Sequence, residues 1–192
     1  MAIGIVYVMA RTTDARIKAI TTAEKLFRKQ GYAATGLTQI IEESGAPKGS
    51  FYFHFPNGKH QLAMEVIASF HKRSVAQFGA LAKAYQDNGE KFITVLVNTL
   101  AEDMSKSDWC LGCAAQVLAQ ELAPTDKEAS DALEALFNEW ISIVAKVLGG
   151  PKAHEKALAL IAALEGARTL ARVTRSDAPF KAVIRQFQEK KT

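Results

Sequence analysis

Apolar residues recur along this chain at three- and four-residue steps, the pattern of helices that bury one face. The first run covers 12–30, with Ile17, Ile20, Ala23, Leu26 and Phe27 on one stripe. Thr12 or Thr13 can cap its start, Asp14 suits the first turn, and Gly31 supplies a stop. Two short helices follow at 37–44 and 48–55, separated by Gly45-Ala46-Pro47. Leu37, Ile40 and Ile41 point inward from the first of these. Pro56-Asn57-Gly58 breaks the second, and a long helix at 59–83 carries Leu62, Val66, Phe70 and Phe78. Beyond Gly89 the pattern predicts longer helices at 90–106, 109–122, 125–148, 152–174 and 178–190. All five prolines lie between these segments or in a first turn, where a missing N–H costs little. No strand pair with a hairpin turn interrupts the series, so the fold class is all-α.

With 192 residues and 48% apolar composition, the chain can bury a substantial core. Its near-zero mean hydropathy and 23% charged residues fit a soluble globular protein. Uncharged runs such as 109–120 fall well short of the ~18–20 residues of a membrane span. The apolar start, 1–9, has no basic leader region and no cleavage site, so it is read as a non-native extension rather than a signal peptide. Met9 is then the natural beginning, and 1–10 forms a disordered or extended tail. With two cysteines and no secretion signal, free thiols and a cytoplasmic location are expected.

Charge changes this picture more than composition does. The net +4 is uneven: residues 11–75 hold ten Lys/Arg against five Asp/Glu, a net +5, while 76–192 carry a net −1. A basic first third points to a polyanionic partner for that part alone. The expected domains are therefore a basic head at 11–56 and a helical body at 57–192, joined through 57–83.

The stretch 31–55 gives that partner a form. A helix, a tight glycine turn and a second short helix, braced by a preceding helix, make a helix-turn-helix whose second member enters the major groove. Lys48, Gly49 and Ser50 stand at the leading end of that helix. Lys48 can reach a base edge or a phosphate, and Gly49 and Ser50 permit close backbone approach. Tyr52 and His54 can donate to phosphate oxygens. Thr35 and Thr38 sit where the first short helix begins and its free N–H groups can meet a phosphate. Lys59 adds charge nearby. Phe51 and Phe55 are inward anchors, while Phe53 is left unassigned.

These residues resemble the DNA-binding segment of TetR-family transcriptional regulators. The matching positions are Phe27, Gly31-Tyr32, Thr35, Ile40, Gly45, Lys48, Gly49, Tyr52, Phe55 and Lys59. The stretch 45–62 looks most similar to the LmrA/YxaF-type subgroup, with looser support from Gly112-Cys113 and 163–175. The resemblance implies a homodimeric repressor that binds a palindromic DNA operator and is released by a small effector. Flat aromatic or other xenobiotic effectors are what the subgroup implies. The dimer contact is expected near 125–148 and 152–174, the latter rich in alanine and glycine between leucines. The expected effector cavity is lined by Phe92, Leu96, Leu100, Met104, Trp109, Cys113, Val117, Phe137, Trp140, Leu164 and Arg168, a mix of apolar walls and a few polar groups.

Other chemistry finds less support. Cys110 and Cys113 have redox-type spacing, but no second cysteine pair suggests zinc and no strand–helix context suggests a thioredoxin motif. A thiol or ligand sensor whose helix-turn-helix is not its main output is the alternative reading. No catalytic triad, phosphate loop or metal-ligand spacing rises above background, so no enzyme, metal or cofactor is expected.

Overall fold

The computed structural model describes the backbone over residues 2–188 and side chains over 14–188, and shows only helices. In chain order they are α1 (Ala2–Gln30), α2 (Leu37–Ser44), α3 (Lys48–His54), α4 (Gly58–Ala84), α5 (Gly89–Lys106), α6 (Ala114–Leu122), α7 (Lys127–Leu148), α8 (Ala153–Thr174) and α9 (Ala178–Phe187). The all-α expectation holds.

Helices α1 to α3 cluster at the N-terminal end. Ala19, Ile20, Ala23, Leu26 and Phe27 of α1 meet Ile40, Phe51 and Phe55 in a continuous core. Ile17 departs from the expected stripe and is 54% exposed. It stands two residues from the buried Ala15 and Ala19, about 200° around the helix from each. Helix α1 is continuous from Ala2, so the residues read as an extended tail carry on the helix. The expected caps at Thr12 and Thr13 and the side chain of Arg11 lie outside the described side chains.

The remaining helices form a bundle in which α7 packs on α4 and α8, and α9 packs on α5 and α8. Asp126 begins α7, its Oδ1 accepting the Ala129 N–H at 3.0 Å. The helix expected from 109 begins only at Ala114. Asp108 and Trp109 have φ of 52° and 63°, which no helix accommodates. The Gly112 N–H is also drawn away, donating to the Arg28 carbonyl at 3.2 Å. None of the described helices is long and apolar enough to cross a membrane.

Candidate functional site

The head is built around one anchored helix. Gly45, at φ 64°, closes α2 in the left-handed region and turns the chain toward α3. The Ser44 hydroxyl accepts the Ala46 N–H at 3.3 Å and braces that turn. Phe51 and Phe55 are buried with ring centroids 5.1 Å apart, as their spacing predicts. Lys48, Gly49, Tyr52 and Phe53 of α3 are all exposed. Thr38 is exposed in the first turn of α2, ahead of its first helical hydrogen bond, from Ile40 N–H to Gly36.

Two of the expected contact residues are engaged within the protein, and two turn a polar atom inward. Thr35 is buried, and its hydroxyl donates to the Gly31 carbonyl at 2.6 Å, tying the turn after α1. Lys59 donates to the carbonyls of Tyr32 and Thr35, both at 3.0 Å, and lies 4.3 Å from the Tyr32 ring centroid. Its ammonium thus clasps the α1–α2 loop to α4 instead of standing free for a phosphate. The Nε2 of His54 and the Oγ of Ser50 are both buried without hydrogen-bond partners, so neither atom faces outward.

The head is also fastened to the bundle. Glu121 of α6 accepts the N–H groups of Tyr32 at 2.8 Å and Ala33 at 2.6 Å. At φ +93° residue 31 adopts a conformation that favours glycine, and a Cβ there, 2.6 Å from Glu121 Oε1, would displace the carboxylate from these N–H groups. Arg28 of α1 donates through Nε to the Gly112 carbonyl and through its terminal nitrogen to Asp103, each at 2.7 Å. Arg172 of α8 donates to the Lys29 carbonyl. Glu24 of α1 receives Arg73 of α4 on both carboxylate oxygens.

A cavity of about 310 Å³ lies against these ion pairs. Leu96, Leu100, Cys113, Trp140 and Arg168 are among its lining residues. Phe92, Met104 and Leu164 are instead packed in the core. Phe137 stands edge-on behind Trp140 at 5.4 Å, and Val117 is beside Gly112. Trp109 lines a separate surface depression with Arg175. The wall that the sequence did not reveal comes from Arg28 of α1, from Phe70, Arg73, Ser74 and Phe78 of α4, and from Asp103 of α5. Trp140 stacks on Phe78 with centroids 5.1 Å apart and planes 9° apart, and its Nε1 donates to the Ser74 hydroxyl at 3.0 Å.

Behind the cavity wall Arg168 forms a buried pair. Arg168 Nε lies 3.5 Å from Glu165 Oε1, both side chains are largely buried, and Arg168 Nε and Glu165 Oε2 lack hydrogen-bond partners. Burial raises the Glu165 carboxyl above its ordinary value, while the Arg168 charge opposes this. Burial, reinforced by Glu165, pushes the Cys113 thiol up to about 12. Cys110 is exposed. In the native protein iodoacetamide at neutral pH should therefore label Cys110 and spare Cys113, which reacts only after denaturation. Peptide mass spectrometry checks this, and rapid native labelling of Cys113 would contradict the buried, protonated thiol.

The family signature described as "Bacterial regulatory proteins, tetR family" matches residues 19–66, the anchored head. The signature "Transcriptional regulator LmrA/YxaF-like, C-terminal domain" matches 90–186, most of the bundle. The chain belongs to the TetR family of bacterial transcriptional regulators. Within this TetR-family chain, the first signature spans the helix-turn-helix and the second spans α5 to most of α9. It is 32% identical to the HTH-type transcriptional regulator LmrA of Bacillus subtilis, over 86% of this chain and 90% of that one. It is 33% identical to YxaF, described as an uncharacterized HTH-type transcriptional regulator of the same organism, over 73% of each. A regulatory protein TetR from Rhodobacter sphaeroides shares the fold, with a TM-score of 0.81 at 21% identity, covering 90% of this chain and 96% of that one. The TetR family consists of DNA-binding regulators rather than enzymes.

Proposed function

We propose that this TetR-family chain is a dimeric repressor that grips a palindromic operator through α2 and α3 and lets go when a small effector enters the cavity. The observation that carries this reading is the outward face of α3. Lys48, Gly49 and Tyr52 are presented together, while Phe51 and Phe55 fix the helix from behind. Lys48 reaches a base edge or phosphate, Tyr52 donates to a phosphate, and the open start of α2 at Thr38 receives another. The head proper is proposed to span 11–56, with 57–83 linking it to the effector and dimerisation body.

Helix α8 supports the dimer. Leu158, Leu170 and Val173 are exposed along it, with Ala162 and Gly166 exposed between them. An apolar helix face that admits close approach suits a two-fold contact. The outward positions of α7 carry Lys127, Glu128, Asp131 and Glu134 instead, so α8 rather than α7 leads the interface. Two-fold symmetry would set paired α3 helices about 34–36 Å apart, one turn of duplex.

The cavity supports the effector. Its stacked Phe78–Trp140 wall suits a flat aromatic ring, and Arg28 and Arg73 line it while also holding α1 to the bundle. An occupant that re-pairs these arginines loosens the head from the body. Moving the DNA-competent population from 99:1 to 1:99 requires ~5.5 kcal/mol of effector preference for the released state.

Selection of a duplex from a random pool, followed by titration at several salt concentrations, tests the reading. Specific binding should weaken steeply with salt. Lys48→Ala should weaken binding to the selected duplex by about 5- to 150-fold without altering the circular dichroism spectrum or the sedimentation coefficient. No salt-sensitive specific binding by the wild type would sink the repressor reading, and an unchanged affinity would remove Lys48 from the contact.

A further inference from the structure

The ring of Phe53 takes no part in the hydrophobic core. It is 77% exposed, and no other phenylalanine stands among the exposed large apolar side chains of the described residues. Its neighbours on α3 divide cleanly around the helix. Phe51 and Phe55 are buried. Ser50 and His54 turn polar atoms inward. Phe53 shares the remaining outer face with Gly49, one turn earlier and ~6 Å along the axis.

Gly49 itself is unexplained by packing. A Cβ there would meet nothing within 4 Å, and its backbone is ordinary helix. Glycine is among the poorest helix formers, so alanine would serve this short helix better. The outer face of α3 therefore combines a bare backbone and a bare aromatic ring, neither of which the protein uses internally. Bare backbone permits close approach by a partner, and the ring then enters that partner's surface.

We infer that Phe53 is a specificity-determining residue that reads the 5-methyl group of a thymine in the major groove. The inference rests on the DNA-binding reading above. Charge complementarity selects a nucleic acid as the occupant, because this face lies beside exposed Lys48 in the basic part of the chain. A phenyl ring neither donates nor accepts a hydrogen bond, so it gains nothing from a phosphate or from most base edges. The thymine methyl is the apolar feature that the major groove offers, and contact with it distinguishes A·T from the other pairs. The ring of His54, edge-on at 5.3 Å between centroids, limits the orientations open to Phe53.

The test uses the full chain and the duplex it selects from a random pool. Each thymine of that duplex is replaced in turn by deoxyuridine, together with its symmetry mate, deleting only the methyl groups. Wild-type affinity should fall by about tenfold at one symmetric pair, from the loss of two buried methyl groups. Phe53→Ala should bind the thymine duplex more weakly and should no longer distinguish thymine from uracil at that pair. Phe53→Leu, still apolar, should retain part of the distinction. Both variants should melt with the wild type because the side chain is exposed. Wild-type indifference to uracil at every position would overturn the inference, as would undiminished uracil discrimination in Phe53→Ala. So would a change in sedimentation coefficient with unchanged DNA affinity, which would assign the ring to a protein contact. If the chain selects no duplex at all, the DNA-binding reading falls first and this inference falls with it.

Discussion

Arg168→Met should lower the unfolding free energy by about 3–5 kcal/mol at neutral to mildly alkaline pH, the usual cost of removing one partner from a buried ion pair. Arg168 and Glu165 sit three residues apart on α8, with side chains only 7% and 15% exposed. Neither is fully satisfied, since Arg168 Nε and Glu165 Oε2 have no hydrogen-bond partner. Without the guanidinium, the Glu165 carboxylate is a buried charge with no compensating cation in its own pair. Its response is to hold its proton. Burial already raises its pKa, and the opposing influence of Arg168 would be gone.

The variant should therefore carry a pH signature. A carboxyl whose folded-state pKa lies above its unfolded value of ~4.3 contributes stability that is fully present below ~4.3 and lost as pH rises through the folded value. The deficit of Arg168→Met relative to wild type should accordingly be smaller at pH 5 than at pH 8, read by urea unfolding at each pH. Replacing Glu165 by leucine as well should recover most of the loss, because apolar residues can replace a buried pair at little net cost. A single variant as stable as wild type at pH 8 would show that the pair contributes nothing to the fold. The double variant would leave a folded chain whose cavity has lost the Arg168 guanidinium alone among its charged lining residues, so its share in ligand preference can be measured apart from stability.

Phe51→Ala should abolish specific DNA binding while leaving the bundle helical. Truncating a fully buried phenylalanine costs ~3–5 kcal/mol. Here the loss falls on α3, a seven-residue helix that cannot persist without tertiary support. Phe51 is the buried side chain of α3 and packs with Phe55, just past the helix end, at 5.1 Å. With it removed, Lys48 and Tyr52 no longer share a fixed face. Affinity for the selected duplex should drop by more than about a hundredfold, equivalent to ~3 kcal/mol. Circular dichroism should change little, since α4 to α9 hold most of the helical residues. Unchanged affinity would mean that α3 is positioned by something other than its inner face.

The two sites differ in how far the sequence disclosed them. In the head, the glycine turn, the buried aromatics and the exposed Lys48 follow one another within a few residues, and local pattern places them correctly. The errors there concern what each polar side chain touches. Lys59 looked like spare charge, yet its ammonium is used by carbonyls that lie 24 and 27 residues earlier. Thr35 was expected at a helix start beside a phosphate, yet it is buried under the turn. In the cavity, the residues proposed from the bundle alone included core members such as Phe92 and Met104. Helices α1 and α4 supply much of the wall, though the sequence marked them as a brace and a connector.

By itself the sequence determined most of the helices, the anchored helix-turn-helix and the concentration of positive charge beside it, because periodicity, turn chemistry and short motifs act over one or a few turns. Only the tertiary structure decided which faces meet. It joined Arg28 to Gly112 across 84 residues and Glu121 to Tyr32 across 89, and it turned Ile17 and Phe53 outward. It also buried the Arg168–Glu165 pair, with Arg168 on the wall of a cavity. Such outcomes depend on how helices distant in the chain share their surfaces, and no local pattern carries that information.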